Sequence, residues 1–149
     1  MTLREALIKA TGALASGGIE EPQLEARLLL AEAAGFSRLD LYVRLADNFA
    51  PENEARLAHL LERRLRGEPS AYILGRKEFF GLEFKVDSRI LIPRPETEVL
   101  VEAALVWLRS RPHEAISVAD IGTGSGAIAV CLARALPDIR VCATDTSQG

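Results

Sequence analysis

The sequence predicts an α+β chain with three successive parts: a small helical bundle, a β-hairpin linker, and the first β-α-β unit of an α/β domain. Three patterns predict this class. Apolar residues recur at helical spacing in residues 1–75, they alternate with polar residues in residues 76–93, and a strand, a glycine loop, a helix and a second strand follow in residues 94–149. A chain of 149 residues has room for one ordinary domain or two small ones, at roughly 100–200 residues per domain.

Four helices are predicted in residues 1–75. The first follows a capping box, in which Thr2 and Glu5 satisfy each other's backbone amides. The other three begin near residues suited to a helix start, Pro22, Ser37 and Pro51. The apolar stripes expected to form the core are Leu3, Ala6, Leu7, Ala10 and Leu14; Leu24, Leu28 and Leu29; Leu39, Tyr42 and Val43; and Leu57, Leu60, Leu61 and Leu65.

The period changes from helical to two after residue 75. Apolar residues then alternate with polar ones, at Phe80, Leu82, Phe84 and Val86, and the stretch 89–92, Arg-Ile-Leu-Ile, follows. This pattern predicts a β-hairpin or paired strands. Pro93 and Pro95 end it, and Glu96 and Glu98 supply an acidic first turn for the next helix.

A β-α-β unit is predicted in the last third of the chain. Residues 116–121 and 139–143 are apolar and partly β-branched, as strands are, and helix-like residues 127–136 lie between them. This order implies a parallel sheet. Because both faces of a parallel sheet need cover, two strands alone are not stable, and the pattern predicts that the chain is a fragment of a longer protein.

Composition excludes several classes. Hydrophobic residues make up 48% of the chain and the net charge is −3, which argues against disorder and against a generic polyanion-binding protein. No apolar run reaches the roughly 18 residues of a membrane span, and no signal peptide is recognisable. Cys131 and Cys142 are expected to be buried free thiols in a reducing cytoplasm. With only His59 and His113, both expected at the surface, no metal site is expected.

The glycine loop is the strongest functional signal. Alternate glycines let the chain turn sharply after a strand and let a ligand lie against the backbone at a helix N-terminus. Asp145 follows Gly122 by 23 positions, at the end of the neighbouring strand, where a carboxylate can accept hydrogen bonds from both ribose hydroxyls of an adenosine. The candidate cofactor-binding residues are Asp120, Gly122, Thr123, Gly124, Ser125, Gly126 and Asp145.

Spacing alone leaves two adenosine ligands open. Gly122, Gly124 and Ala127 satisfy the G-x-G-x-x-A fingerprint of dinucleotide-binding proteins. Asp120 instead suits the cationic amino group of S-adenosylmethionine, and Gly126 adds a glycine that the dinucleotide pattern does not need. Asp120 has a structural alternative, as an acid that faces the following helix.

Two stretches together resemble the HemK/PrmC family of protein-glutamine methyltransferases, which act on peptide chain release factors. They are Pro93-Arg94-Pro95-Glu96-Thr97-Glu98 and the loop segment 118–129. Residues 68–75 and 78–82 resemble the family's linker region, so the likeness covers essentially the whole chain. It implies a substrate-recognition domain in residues 1–75 and an incomplete class I methyltransferase domain, Rossmann-like, in residues 94–149.

The resemblance also implies a reaction. The methyl group of S-adenosylmethionine would pass to the side-chain amide nitrogen of the glutamine in the Gly-Gly-Gln motif of release factors. Residues 122–126 would hold the methionine part of the cofactor and Asp145 the ribose. Arg94, Glu96 and Thr97 match a stretch beside the cofactor pocket; a helix cap is an equally open interpretation of Glu96 and Thr97.

The family's acceptor motif, Asn-Pro-Pro-Tyr, is missing from these residues. The asparagines here are Asn48 and Asn53, and neither precedes a proline. We therefore assign no catalytic residue and expect this chain alone to be inactive. Two alternatives stay open: an NAD-dependent oxidoreductase domain and a non-catalytic module that binds release factors.

The remaining features have structural interpretations. Five basic residues, Arg63, Arg64, Arg66, Arg76 and Lys77, are expected to form a solvated helix end rather than a surface for RNA or for a release factor. Trp107, on the helix before the first strand of the β-α-β unit, is expected to serve in packing rather than as a binding platform. We expect no membrane association and no direct contact with nucleic acid.

Overall fold

The computed structural model describes residues 1–111 and 115–147, so His113 lies outside the described residues. The chain is α+β, with helices and two small sheets. It divides into two compact units, the first unit Met1–Leu74 and the second unit Gly75–Gly149. Within the described ranges, no helix combines the length and the apolar composition needed to cross a membrane.

The first unit contains five helices among its residues. They are α1 (Leu3–Ser16), α2 (Pro22–Ala34), α3 (Arg38–Val43), α4 (Pro51–Leu65) and α5 (Ser70–Leu74). The capping box at α1 is confirmed: the Glu5 amide donates to Thr2 Oγ1 at 3.2 Å, and the Thr2 amide donates to Glu5 Oε2 at 2.7 Å. Four predicted helix starts are confirmed, whereas the short α5 has no apolar period and was not predicted.

Leucine and alanine side chains fill the core of the first unit. The largest fully buried ones are Leu3, Leu14, Leu29 and Leu30. The predicted stripes are wrong at five positions that are exposed, namely Leu24, Leu39, Tyr42, Val43 and Leu65. In α3 the side chain that turns inward is Leu41, because six residues present one face to the core and the other to solvent. Helical spacing thus identified α3 but not its buried face.

The second unit begins with an antiparallel hairpin, β1 (Arg76–Phe79) and β2 (Leu82–Lys85). A hairpin within residues 76–93 is confirmed, but its strands are not where the alternation placed them: Phe80 lies in the turn and residues 89–92 form no strand. Phe80 and Gly81 have φ values of 52° and 72°. Positive φ at both central residues is typical of the type I′ turn, whose twist matches that of the flanking strands. The alternation of apolar residues does not reveal this turn.

The rest of the second unit follows the predicted order: α6 (Pro95–Arg109), β3 (Ser117–Ile121), α7 (Ala127–Ala135) and β4 (Arg140–Thr144). β3 and β4 are parallel, from Ser117 opposite Arg140 to Ile121 opposite Thr144, so the predicted β-α-β unit is confirmed. Its buried core combines hairpin and helix residues: Phe79, Phe84, Val101, Leu105, Leu108, Ala127, Cys131 and Leu132.

Two side chains in this unit, Trp107 and Cys142, are more exposed than the sequence suggested. Trp107 is 53% exposed, because α6 turns Val101, Leu105 and Leu108 inward, and the Arg111 guanidinium lies 3.8 Å from the centre of its ring. Of the two thiols, Cys131 is buried as expected and burial raises its pKa. Cys142 is exposed, because it lies on β4, which is exposed along most of its length.

Candidate functional site

The glycine loop, residues 122–126, joins the end of β3 to the start of α7. Its glycines, Gly122, Gly124 and Gly126, have φ values of 76°, 55° and 76°. These values lie in the left-handed region, which side chains with a Cβ rarely adopt. The Gly122 and Thr123 amides both donate to the Thr144 carbonyl, at 2.8 and 3.0 Å, so the loop begins firmly attached to the end of β4.

Open space lies beside the backbone of this loop. A Cβ atom built on Gly122 or on Gly124 would meet no heavy atom within 4 Å. These glycines are therefore required by their backbone conformation and not by crowding from the protein. A ligand can lie directly against this backbone, next to the N-terminus of α7, as adenosine cofactors do in α/β folds.

Asp120 is a nearly buried carboxylate at the end of β3, with 9% of its surface exposed. Its Oδ2 accepts a hydrogen bond from the Thr123 hydroxyl at 2.6 Å and one from the Ala129 amide at 3.2 Å. Ala129 is the third residue of α7, so its amide has no partner within the helix. Gly126, the N-cap, has no side chain to offer, and Asp120 supplies the missing acceptor. Asp120 thus connects strand, loop and helix.

Asp145 directly follows β4 and contacts the same loop from the other side. Its Oδ2 accepts a hydrogen bond from the Gly124 amide at 2.8 Å, and its Oδ1 accepts one from the Ser147 amide at 2.9 Å. The backbone bonds from Ser147 and Gly124 lower the pKa of this carboxyl below its usual value. The group is exposed and ionised at neutral pH, with both oxygens oriented by the backbone.

The structure therefore brings Asp120, Thr123, Gly124 and Asp145 together around one loop, with Gly122, Ser125 and Gly126 in its backbone. Reasoning from sequence missed the Thr144 carbonyl, which holds the start of the loop. No sequence signal marks it, because any residue at the end of that strand presents a carbonyl.

The stretch before α6 behaves differently from the expectation. Arg94 is the N-cap of α6 and its side chain makes no capping hydrogen bond, while Glu96 lies in the acidic first turn of the helix. Among the described residues, no hydrogen bond or ion pair joins Arg94, Glu96 or Thr97 to the glycine loop. Glu98 carries a contact that the sequence did not predict: its Oε1 accepts the Phe80 amide of the hairpin turn at 2.8 Å.

Four arginines at the end of α4 and beyond it form ion pairs. Within the first unit, Arg63 pairs with Glu68, Arg64 with Glu25 and Arg66 with Glu62; within the second, Arg76 pairs with Glu83. Each arginine thus lies beside a carboxylate, which supports the structural interpretation of this cluster over a free cationic surface. Across residues 1–111 and 115–147, no three His, Cys, Asp or Glu side chains gather as metal ligands would.

Comparisons with known proteins agree on one family. Residues 5–75 match the PrmC N-terminal domain. A release factor glutamine methyltransferase of Moorella thermoacetica is 49% identical over 147 residues, which cover 99% of this chain and 51% of that protein. The enzyme of the same name from Geobacter sulfurreducens is 46% identical over 148 residues, 99% of this chain and 51% of that protein. The chain thus spans about half the length of the curated relatives it matches.

Proposed function

We propose that this chain belongs to the PrmC family and is the N-terminal part of a release factor glutamine methyltransferase. One observation carries the proposal: relatives of that name are 46–49% identical along 99% of this chain, the glycine loop included. The reaction moves a methyl group from S-adenosylmethionine to the side-chain amide nitrogen of glutamine in the Gly-Gly-Gln motif of release factors. We place it in the cytoplasm, where release factors act.

S-adenosylmethionine suits the residues present. The open space beside Gly122 and Gly124 can take the methionine part of the cofactor, with Thr123, Ser125 and Gly126 completing the loop. The Asp145 carboxylate, already oriented, can accept the ribose hydroxyls. Asp120 would supply a carboxylate for the cationic amino group, while its Oδ2 holds the Thr123 hydroxyl. When bound, the cofactor supplies an electrophilic methyl group on a sulfonium.

We assign domain roles accordingly. Residues 1–75 form a substrate-recognition domain, residues 76–93 a linker, and residues 94–149 the incomplete start of a class I, Rossmann-like methyltransferase domain. The parallel β3-α7-β4 unit, with its ligand loop at the carboxyl end of β3, supports the last assignment.

Catalysis needs more than these residues. An amide nitrogen is a poor nucleophile because its lone pair is delocalised into the carbonyl. The enzyme must hold both amide hydrogens, aim the nitrogen at the methyl group and exclude water, so positioning dominates over acid–base chemistry. The Asn-Pro-Pro-Tyr motif that would do this is not among the 149 residues. We therefore propose that this chain alone does not methylate.

Methyl transfer tests the proposal. The full-length protein is incubated with a release factor and S-adenosylmethionine labelled in its methyl group, and label is located by mass spectrometry of the Gly-Gly-Gln peptide. We expect one methyl on the glutamine, none on a release factor whose motif glutamine is replaced by asparagine, and none with this chain alone. Absence of label with the full-length protein contradicts the proposal.

Calorimetry separates the alternatives. S-adenosylmethionine should bind the full-length protein and NAD should not. Preferential binding of NAD would favour an oxidoreductase. Capture of a release factor with no effect of either cofactor would favour a non-catalytic binding module.

A further inference from the structure

The glycine loop is shaped by the chain's own groups before any ligand is bound. The Thr144 carbonyl holds its first two amides, and Asp120 holds the Thr123 hydroxyl. The middle of the loop is held by Asp145 alone among the described side chains, through the Gly124 amide at 2.8 Å.

Gly124 is the position where such a restraint matters most. Glycine populates several φ values readily, and the 55° of Gly124 is one of them. Gly124 therefore gains conformational entropy when its hydrogen bond to Asp145 is lost. No heavy atom lies within 4 Å of its missing Cβ position, so packing does not fix it. Its conformation is therefore selected by the bond from its own amide to Asp145, together with the backbone bond from the Gly126 amide to the Thr123 carbonyl at 2.9 Å that closes the turn around it.

Asp145 can hold the loop and still accept a ligand. Each carboxylate oxygen has two lone pairs. Oδ2 uses one for Gly124 and Oδ1 uses one for Ser147, and the Thr146 amide also bonds to the carboxyl group, so at least one of the four lone pairs remains for a hydroxyl group. Because both backbone bonds orient the carboxylate, its remaining lone pairs point in fixed directions.

We propose that Asp145 is a positioning residue of the glycine loop, which holds Gly124 in its binding conformation before the nucleoside arrives. Its second role, accepting the ribose hydroxyls, rests on the proposed function, whereas its hydrogen bond to the loop does not. Part of the affinity for a nucleoside then comes from a loop that needs no ordering on binding.

The ligand-free full-length protein provides the test, since a residue that only contacts ligand would leave the empty loop unchanged. Solvent-exchange rates of backbone amides are measured by NMR for the full-length protein and for its Asp145→Ala, Asp145→Asn and Asp138→Asn variants. Asp138 is an exposed carboxylate before β4, so its variant controls for the loss of charge. Thermal unfolding confirms that each variant is folded.

In Asp145→Ala we expect the Gly124 and Ser147 amides to exchange about tenfold faster, the effect of losing one ordinary hydrogen bond. Asp145→Asn keeps one carbonyl oxygen, so one of the two amides should exchange more slowly than in the alanine variant. Asp138→Asn should match the unmodified protein. Unchanged exchange at Gly124 in both Asp145 variants overturns the proposal.

Titration of the full-length protein with S-adenosylmethionine separates this proposal from the proposed function. Faster exchange at Gly124 together with no binding to the unmodified protein leaves the positioning role standing and refutes the cofactor. Loss of binding in Asp145→Ala with unchanged exchange at Gly124 supports the cofactor and reduces Asp145 to a ligand contact.

Discussion

The two units of this chain bury their apolar residues to different degrees. In the first unit, Leu14 and Leu30 are completely buried by helices that pack on one another. In the second, β3 and β4 are exposed along most of their length, and Ile121 is 77% exposed. A parallel sheet requires cover on both faces, whereas a helical bundle closes on itself. Side-chain packing therefore determines the structure of the first unit, whereas backbone conformation determines the structure of the glycine loop in the second unit.

The largest effect is expected in the core of the first unit. Leu14→Ala should lower the free energy of unfolding by about 2–5 kcal/mol, because it removes buried methyl groups and leaves a cavity. Leu39→Ala, at a leucine that is 81% exposed, should change it by less than about 0.5 kcal/mol. Urea denaturation measures both, and equal losses would contradict the described burial.

The next largest loss of stability is expected in the second unit. Glu98→Ala should cost about 1–3 kcal/mol, because the Phe80 amide loses its charged acceptor at a partly buried turn. Glu96→Ala removes an exposed carboxylate from the same helix turn and is the matched control. If the two variants unfold at the same urea concentration, the contact between α6 and the hairpin turn carries no stability.

A smaller loss is expected at the start of α1. Thr2→Ala should destabilise the first unit by about 1 kcal/mol, since the Glu5 amide loses its acceptor. Thr2→Ser keeps the hydroxyl and should restore most of the stability. Chemical unfolding of both variants measures the difference, and a serine variant as unstable as the alanine one would exclude capping as the cause.

Replacing glycine by alanine should change the stability in opposite directions in the two units. Gly12 lies inside α1 with nothing within 4 Å of its missing Cβ, so Gly12→Ala should stabilise by about 0.5–1 kcal/mol. Gly124 has a φ of 55°, so Gly124→Ala should destabilise by about 1 kcal/mol. Thermal unfolding of the two variants gives the signs, and stabilisation by both would contradict the left-handed loop.

Acid should loosen the glycine loop. The pKa of Asp145 is lowered in the folded chain by its bonds from the Ser147 and Gly124 amides. A lowered carboxyl pKa contributes stability that is fully present above the unfolded value, about 4, and is lost as pH falls through the folded value. The Gly124 amide resonance should therefore shift only below about pH 4, and a midpoint above that value would contradict the two bonds.

Local features of the fold were predictable from the sequence, and tertiary ones were not. The capping box of Thr2 and Glu5 and the order of β3, α7 and β4 depend on neighbouring residues, so their patterns are visible. The strands of the hairpin were misplaced, because the alternation of apolar and polar residues continues through Phe80. Apart from the neighbouring Gly81, no sequence signal marks the positive φ at Phe80. The exposure of Leu39 depends on which helix face meets the core.

The candidate site likewise has features that the sequence predicted and features that it did not. The spacing from the glycines to Asp145 predicted that they lie near one another, because adjacent parallel strands end at one edge. It did not predict that Asp145 binds the Gly124 amide, 21 residues earlier, or that Glu98 binds the Phe80 amide, 18 residues earlier. Such bonds depend on side-chain directions that only the folded chain fixes.

Calorimetric titration with S-adenosylmethionine tests the central claim, that the glycine loop and Asp145 hold a methyl-donor nucleoside. The full-length protein, Asp145→Ala and Asp138→Asn are compared under the same conditions. We predict similar affinities for the unmodified protein and Asp138→Asn, and an affinity at least about tenfold weaker for Asp145→Ala, since a carboxylate acceptor is lost. Equal affinity in all three proteins would contradict the claim.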